Sequence, residues 1–411
     1  MVEALRKVGA ASDTAVLAAM RRVPREMFVP HFFSLPGTLW TGTPAEVREW
    51  NVDDGDEPVL SLVYDMERPL GIRREREPAG PTAGAGVTST ASAPRIVAAM
   101  LELSQLRTGM RVLEIGTGSG YNAALLQELV GPQGQVTSVD IDNTLVAEAS
   151  KRLSEGGYGA VEVVAADGYF GAARRAPFDR VIATVGCADL APPWLAQLNT
   201  GGFCLVPLQH GGMHPLTRAE PKGDGAVGRV VAAAAFVAIQ GYQAGHSPWP
   251  HAGRLGPDPD VEWSALPDWL VNALEPDEGK DAWSRIFDMD YLVALEDRRM
   301  VSALSLKDES SSAAIDPKGR RVGHLGPDGR KLQERLLQLA DMWVGLGRPA
   351  KTEYSSVFSL TRPNATVAPN EPLSWRVDRL DYRQVVSLSR DGTVPTKTQR
   401  HSSGVQTASG S

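Results

Sequence analysis

The sequence predicts an α/β fold, in which helices cover both faces of a Rossmann-like, largely parallel sheet and a smaller C-terminal α+β domain follows. Between residues 92 and 207, apolar runs typical of strands alternate with segments of helical periodicity. Parallel strands need helical crossovers of this kind. After about residue 213 the regular alternation fades, which indicates a different arrangement in the C-terminal part.

The first ninety residues predict one helix and a long irregular segment. Apolar side chains recur at near-helical spacing over residues 3–23, and we expect the helix to stop before Pro24, because a residue that precedes proline disfavours helical geometry. Residues 34–90 are irregular and rich in Gly, Pro and charge, notably in the insert 71–87. They predict a long loop rather than a regular element.

The central part predicts a helix over 93–103, which Ser92 could cap and in whose first turn Pro94 lies. Five strands and three further helices follow. In chain order, their segments are RVLEIG (strand), YNAALLQELV (helix), QVTSVDID (strand), LVAEASKRLSEGG (helix), VEVVAAD (strand), FDRVIATVG (strand), PPWLAQL (helix) and GGFCLVPL (strand).

Regular structure is sparser towards the C-terminus. Residues 228–242 could add antiparallel strands to the sheet, and residues 329–347 predict an amphipathic helix. We expect residues 255–395 to form the smaller domain. The last stretch, 396–411, has almost no apolar content and is expected to be disordered.

Composition excludes several classes of partner and site. The chain has 411 residues, 42 Lys and Arg against 49 Asp and Glu, and a formal charge of −7, so it offers no field that attracts nucleic acid or anionic lipid. Cys187 and Cys204 lie in apolar segments and predict buried thiols rather than a disulfide framework. Because no apolar run approaches about 18 residues, we expect a cytoplasmic protein without a membrane span.

The spacing of the histidines does not indicate a metal site. Only His210 and His214 stand four apart, and Gly211 and Gly212 between them deny the helix that would align the two rings. We therefore expect no bound metal.

The stretch RVLEIGTGSGYNAALL (111–126) contains a strand, a turn with three alternating glycines and a helix. Such a turn presents backbone N–H groups and the positive end of a helix to a ligand. GSGYNA (118–123) satisfies a loose dinucleotide pattern, so NAD is one alternative. A glycine-rich turn without a ligand is another.

Acidic residues at three successive strand ends favour a cationic nucleoside, S-adenosylmethionine. Glu114 would suit the cationic side of the ligand, whereas it would repel a pyrophosphate. Asp140, twenty residues after Gly120, is placed to accept the ribose hydroxyls. Asp167 could accept from the adenine amino group. Acids at strand ends are also common helix caps, and for Asp142 and Asp179 we favour that interpretation.

Several separated motifs resemble the protein-L-isoaspartate O-methyltransferase family. They are VPREMFVP, VYDMERPLGI, TASAPRIVAAML, VLEIGTGSGYNAALL, PFDRVIATVG and LAQLNTGGFCLVPL, and they span roughly residues 15–240. The resemblance implies a methyltransferase fold that binds S-adenosylmethionine. The implied cofactor-binding residues are Glu114, Gly116, Thr117, Gly118, Gly120, Asp140, Ile141, Asp167 and Gly168.

The resemblance also implies a site for the methyl acceptor, a protein or peptide that carries an aspartyl or isoaspartyl residue. In the family, a Thr-x-Ser-x-Pro segment closes over the acceptor. Here it makes Ser92 the first candidate for a catalytic hydroxyl and Thr90 the second, although Ser92 could also be only a helix cap. Tyr64 and Asp65 are implied substrate contacts, and the simpler alternative for Tyr64 is packing at the base of the loop.

This sequence departs from the family where the acceptor should lie. Ala93 replaces the usual Gln before the proline, residues 71–87 are expanded, and a long C-terminal extension is added. These features resemble a branch that modifies ribosomally made peptides and forms aspartimide. The implied division is 1–90 for the N-terminal helix and acceptor-site loops, 91–250 for the cofactor-binding domain and 255–395 for the extension. A binding module that has lost catalysis is the rival from another class.

Overall fold

The structure is a computed structural model. It describes residues 1–34, 48–54, 57–74, 87–249, 260–276, 283–302, 304–360 and 373–388. The expected disordered tail, 396–411, and most of the insert 71–87 lie outside these ranges.

The N-terminal segment forms two helices instead of the single one predicted over 3–23. They are α1 (Val2–Lys7) and α2 (Thr14–Arg22), and the short α3 (Arg25–Phe28) follows. The chain breaks after α1 at Gly9, whose φ is +69°. Asp13 then starts α2, since its side chain accepts hydrogen bonds from the N–H groups of Ala15 and Val16.

Residues 34–90 hold regular elements, so the prediction of one long loop is wrong. The elements are β1 (His31–Ser34), β2 (Glu49–Asn51), α4 (Glu57–Val63), β3 (Leu70–Arg74) and β4 (Val87–Ala91). The strands form an antiparallel sheet in the order β2-β1-β3-β4. Three to five residues are too few for the alternation that reveals a strand in sequence.

The central region folds as predicted and confirms the α/β fold class. Its elements are α5 (Pro94–Leu103), β5 (Arg111–Ile115), α6 (Tyr121–Val130), β6 (Gln135–Asp140), α7 (Asn143–Glu155), β7 (Glu162–Ala165), β8 (Phe178–Ala183), α8 (Pro192–Ala196) and β9 (Leu198–Pro207). The five strands are parallel and lie in the order β7-β6-β5-β8-β9. β5 therefore lies in the middle of this parallel sheet, with its carboxyl end facing the glycine turn.

Antiparallel strands extend the sheet beyond β9, and a second sheet follows. β10 (Leu216–Lys222) and β11 (Gly225–Ala232) form the extension. The second sheet has the order β12-β16-β15-β14-β13. Its region comprises β12 (Glu262–Ala265), α9 (Asp268–Leu274), α10 (Trp283–Glu296), β13 (Met300–Ser302), β14 (Ser305–Lys307), β15 (Ser312–Asp316), β16 (Arg321–Leu325) and α11 (Gly329–Gly345).

The last strands return to the central sheet, which changes the expected division of the chain. β17 (Tyr354–Leu360) pairs with β11, and β18 (Ser374–Asp378) and β19 (Tyr382–Leu388) complete a ten-stranded sheet. Part of the segment 255–395 thus belongs to the same sheet as the predicted cofactor-binding domain. Across the described ranges, no helix has the length and apolar character needed to cross a membrane.

Candidate active site

The glycine turn between β5 and α6 has a backbone that demands glycine. Gly116 has φ +100° and Gly120, which caps α6, has φ +86°. A Cβ at Gly116 would lie 2.7 Å from the hydroxyl oxygen of Thr184. That hydroxyl donates to the carbonyl of Gly116 at 2.7 Å. The turn is therefore held tightly against the end of the neighbouring strand β8.

Glu114 lies behind this turn rather than in the cavity in front of it. Its side chain is fully buried, one carboxylate oxygen accepts from Asn122 Nδ2 at 2.7 Å, and the other accepts from the Ser138 hydroxyl at 2.5 Å. Burial raises the pKa of Glu114 to about 7. Glu114 therefore supports the turn from behind, and the direct contact with a ligand that the sequence predicted stays a prediction.

A cavity opens in front of the turn, at the carboxyl ends of the parallel strands. Residues 88–92, 115–119, 139–142, 184–185 and 236–240 provide most of its wall. None of its described lining residues is Lys, Arg or His, whereas Asp140 and Asp142 both lie there. Asp142 is paired with Arg73 of β3 at 2.7 Å, so the negative charge without an ionic partner among the described residues is that of Asp140. The wall therefore suits a cation, as the sulfonium and amino groups of S-adenosylmethionine require.

Asp140 and Ile141 occupy the positions that the sequence predicted for them at the end of β6. Asp140 Oδ2 accepts from the N–H of Gly118 at 2.9 Å, and its Oδ1 accepts from the N–H of Asp142 at 3.1 Å. Ile141 remains 42% exposed although it is apolar, so its side chain is available to a flat apolar ligand. Asp142 caps α7, as expected, by accepting from the N–H groups of Thr144 and Leu145.

Asp167 and Gly168 differ in their relation to the cavity. Gly168 lines the cavity, whereas Asp167 is not among the lining residues. The two carboxylate oxygens of Asp167 accept from the backbone N–H groups of Tyr169, at 2.9 Å, and Tyr242, at 2.7 Å. The carboxylate thus joins two loops, and its contact with adenine stays a prediction.

Thr90 and Ser92 reach the same cavity from the small antiparallel sheet. Thr90 lies in β4 opposite Gly71, and Ser92 follows the strand directly; both line the cavity. The cap of α5 is Ala93, so the predicted capping role of Ser92 is wrong. Within the described residues, no hydrogen bond engages the Ser92 hydroxyl, which leaves it free for a ligand.

Tyr64 and Asp65 lie outside the cavity wall. The Tyr64 hydroxyl donates to the carboxylate of Glu26, and its ring packs against the core of the small sheet. Asp65 accepts from Glu67 N at 3.0 Å and Arg68 Nε at 3.4 Å. These contacts match the simpler packing interpretation of Tyr64, and the substrate contacts stay predictions.

Sequence reasoning missed several residues of the site. Asn122 and Ser138 are polar residues inside apolar elements, which was an available signal. Residues 236–240 carry no comparable signal, because the N–H of Gly186 reaches the carbonyl of Val237 only through tertiary structure.

His210 and His214 have separate partners, Tyr291 O and Phe236 N. Over the described part of the chain, no three His, Cys, Asp or Glu residues are grouped as metal ligands.

Comparison with known proteins identifies the family of the chain. Residues 80–244 match the family model described as Protein-L-isoaspartate(D-aspartate) O-methyltransferase. A protein-L-isoaspartate O-methyltransferase from Methanothermobacter thermautotrophicus is 35% identical over 208 residues, which cover 51% of this chain and 77% of the relative. A second, from Archaeoglobus fulgidus, is 45% identical over 193 residues, which cover 47% of this chain and 71% of the relative.

A solved structure described as a protein-L-isoaspartate O-methyltransferase is 22% identical, with a TM-score of 0.49, over 87% of this chain and 94% of that chain. The motifs, the glycine turn with its acidic strand end and the matched relatives agree. The chain therefore belongs to the protein-L-isoaspartate O-methyltransferase family and is an S-adenosylmethionine-dependent methyltransferase.

Proposed function

We propose that the protein methylates the carboxylate of an aspartyl or isoaspartyl residue in a polypeptide. One observation carries the proposal. The Ser92 hydroxyl, which no described residue engages, lines the same cavity as the glycine turn and Asp140. A hydroxyl donor beside a cofactor site is what an anionic acceptor needs, since a hydrogen bond to a carboxylate is stronger than one between neutral groups.

The residues of the chain need only bind and orient the reactants. An aspartyl carboxylate has an ordinary pKa of about 4 and is ionised at neutral pH, so no general base is required. When bound, S-adenosylmethionine supplies an electrophilic methyl carbon on a positive sulfur, which leaves as a neutral thioether. Ser92 would orient the acceptor oxygen, and Asp140 would hold the ribose. Such positioning is worth up to roughly 7–11 kcal/mol in well-oriented systems.

The methyl ester would then react without the enzyme. The following backbone amide nitrogen attacks the ester carbonyl, methanol leaves, and a succinimide forms. In repair, this ring hydrolyses towards normal aspartate, whereas in peptide tailoring the ring itself is the product.

A second candidate is the tailoring of a ribosomally made precursor peptide, with aspartimide as the product. The C-terminal region favours it. The family model ends at residue 244, yet β17, β18 and β19 extend the central sheet from beyond that point. A region that is absent from the family match and built into the fold could provide selection of one substrate.

The test is incubation of the purified chain with S-adenosylmethionine and either isoaspartyl peptides or a candidate precursor peptide. Mass spectrometry should show the gain of one methyl group, followed by loss of methanol as the ring forms. Ser92→Ala should slow transfer without weakening the binding of S-adenosylhomocysteine, and the exposed Ser154→Ala serves as the matched control. Tight cofactor binding without transfer to any peptide would contradict the proposal and favour a binding module.

A further inference from the structure

A buried guanidinium lies directly behind the acceptor segment. Arg25, at the start of α3, is fully buried. Its Nη1 donates to the carbonyl of Ser92 at 2.9 Å, and its Nη2 donates to the carbonyl of Ala91 at 3.2 Å. One side chain therefore holds two consecutive carbonyl groups that flank the candidate catalytic serine.

These two bonds fix the direction of the Ser92 side chain. The Ala91 carbonyl belongs to the peptide unit before Ser92, and the Ser92 carbonyl belongs to the unit after it. Each peptide unit is planar, so holding both units restricts φ and ψ of Ser92. The direction of the Cα–Cβ bond follows from those angles, and with it the region that the hydroxyl can reach.

Arg25 is a buried positive charge that pairs with carbonyl groups rather than with an acid. No carboxylate among the described residues forms an ion pair with it, and its nearest aromatic contact is the ring of Tyr121, 5.3 Å from the guanidinium carbon. Burial lowers its pKa to about 10, which leaves it protonated at neutral pH. A buried cation without an ionic partner costs several kcal/mol, which its hydrogen bonds to two carbonyls, at roughly 1.5–3 kcal/mol each, offset.

The cavity gives that charge a use. Its described wall contains no cationic side chain. Asp142 is paired with Arg73, whose Nε lies 2.7 Å from the carboxylate, whereas Asp140 has no ionic partner among the described residues. An anionic acceptor that approaches Ser92 therefore meets the negative field of Asp140. The Arg25 guanidinium, which contacts the carbonyl of Ser92 at 2.9 Å, offsets this negative field. A buried charge acts more strongly than an exposed one, because water screens it less.

We propose that Arg25 is a positioning residue for methyl transfer: it orients Ser92 through the two flanking carbonyls and supplies the positive charge opposite an anionic acceptor. The inference rests on the proposed function. Arg25 does not line the cavity itself, so it acts through the backbone and the field rather than by touching the cofactor.

The experiment compares Arg25→Met and Arg25→Lys with Arg22→Met, a control whose side chain is 65% exposed. Each full-length variant is measured for its thermal unfolding midpoint, its affinity for S-adenosylhomocysteine, and kcat and KM with an isoaspartyl peptide. We expect Arg25→Met to lose about 100-fold in kcat/KM, the scale of a small misplacement of a reacting group, with cofactor affinity within about twofold. Arg25→Lys should recover part of the loss, since it keeps the charge but not the two-pronged bond.

A double-mutant cycle separates positioning from general stability. If Arg25 acts through Ser92, Ser92→Ala should reduce the rate much less in the Arg25→Met background than in the wild type. An equal reduction in both backgrounds, or parallel losses of cofactor affinity and rate, would overturn the inference. Should Arg25→Met fail to fold, the same cycle is run with Arg25→Lys. A wild-type protein that transfers no methyl group would instead overturn the proposed function, and this inference with it.

Discussion

Glu114→Gln tests whether the buried carboxyl behind the glycine turn is protonated in the folded protein. Burial raises its pKa from 4.5 to about 7, which corresponds to roughly 3 kcal/mol in favour of the protonated form. The neutral Gln can keep the local bonds. Its carbonyl oxygen can accept from Asn122, and its amide can donate to the Ser138 hydroxyl, which lies 2.6 Å from Thr117 Oγ1 and can donate there.

The sign follows from proton binding. Below pH 4.5 the carboxyl is protonated in both states; as the pH rises towards 7, the unfolded chain loses the proton while the folded chain keeps it, so wild-type stability falls. The free energies of unfolding of Glu114→Gln and the wild type are measured with urea at pH 5 and at pH 8. The variant's value minus the wild-type value should be roughly 2 to 3 kcal/mol larger at pH 8 than at pH 5. Other buried acids cancel in this difference, and Glu155→Gln, at an exposed position of α7, controls for the loss of one carboxyl. A difference that does not change with pH would refute the reasoning.

Two further predictions concern the cofactor site and the C-terminal strands. Asp140→Ala should weaken S-adenosylmethionine binding by about 10-fold or more in calorimetry, since it removes charge-assisted hydrogen bonds of roughly 1.5–3 kcal/mol; unchanged affinity would show that the ribose lies elsewhere. Arg379→Met should lower the free energy of unfolding by roughly 3 to 5 kcal/mol in a urea titration, because it leaves the buried Asp189 without its nearby positive charge and the carbonyls of Ala188 and Gln209 without their donors. The control Arg376→Met removes only an exposed ion pair and should change stability by less than about 1 kcal/mol; an equal loss in both variants would contradict this account.

The central fold could be predicted from sequence because its signals are local. Apolar strands that alternate with helices, as in most of residues 111–207, indicate a parallel sheet without any information from the rest of the chain. The small sheet of β1 to β4 could not be predicted, since its strands are short and its pairings join residues as far apart as Phe33 and Gly71. The return of β17 to β11 depends on contacts more than a hundred residues apart, which no periodicity encodes.

Within the site, the sequence shows which residue types stand at the strand ends, but it does not show which of their side chains line the cavity. An acid at a strand end is visible in the sequence, and both Glu114 and Asp167 are acids near strand ends. Whether such an acid faces the ligand depends on the neighbours that bind its oxygens. Asn122 and Ser138 engage Glu114, and the N–H of Tyr242 engages Asp167. Among the described residues Asp140 bonds to backbone N–H groups, and it lines the cavity. Its place at the strand end is the predicted one, and its contact with the ribose stays a prediction.

The C-terminal region contacts the methyltransferase core close to the cavity. The side chain of Asp381 accepts from the hydroxyl of Tyr169 at 2.9 Å. Tyr169 itself does not line the cavity, but the preceding residue, Gly168, does. The carboxylate of the buried Asp189 in turn accepts from the N–H groups of Asp381, at 2.6 Å, and Tyr382, at 2.9 Å. Because buried hydrogen bonds of this kind are costly to leave unmade, the turn after β7 and the start of β19 should order together. Tyr169, which is next in the chain to the cavity-lining Gly168, thus joins the C-terminal strands to the methyltransferase core.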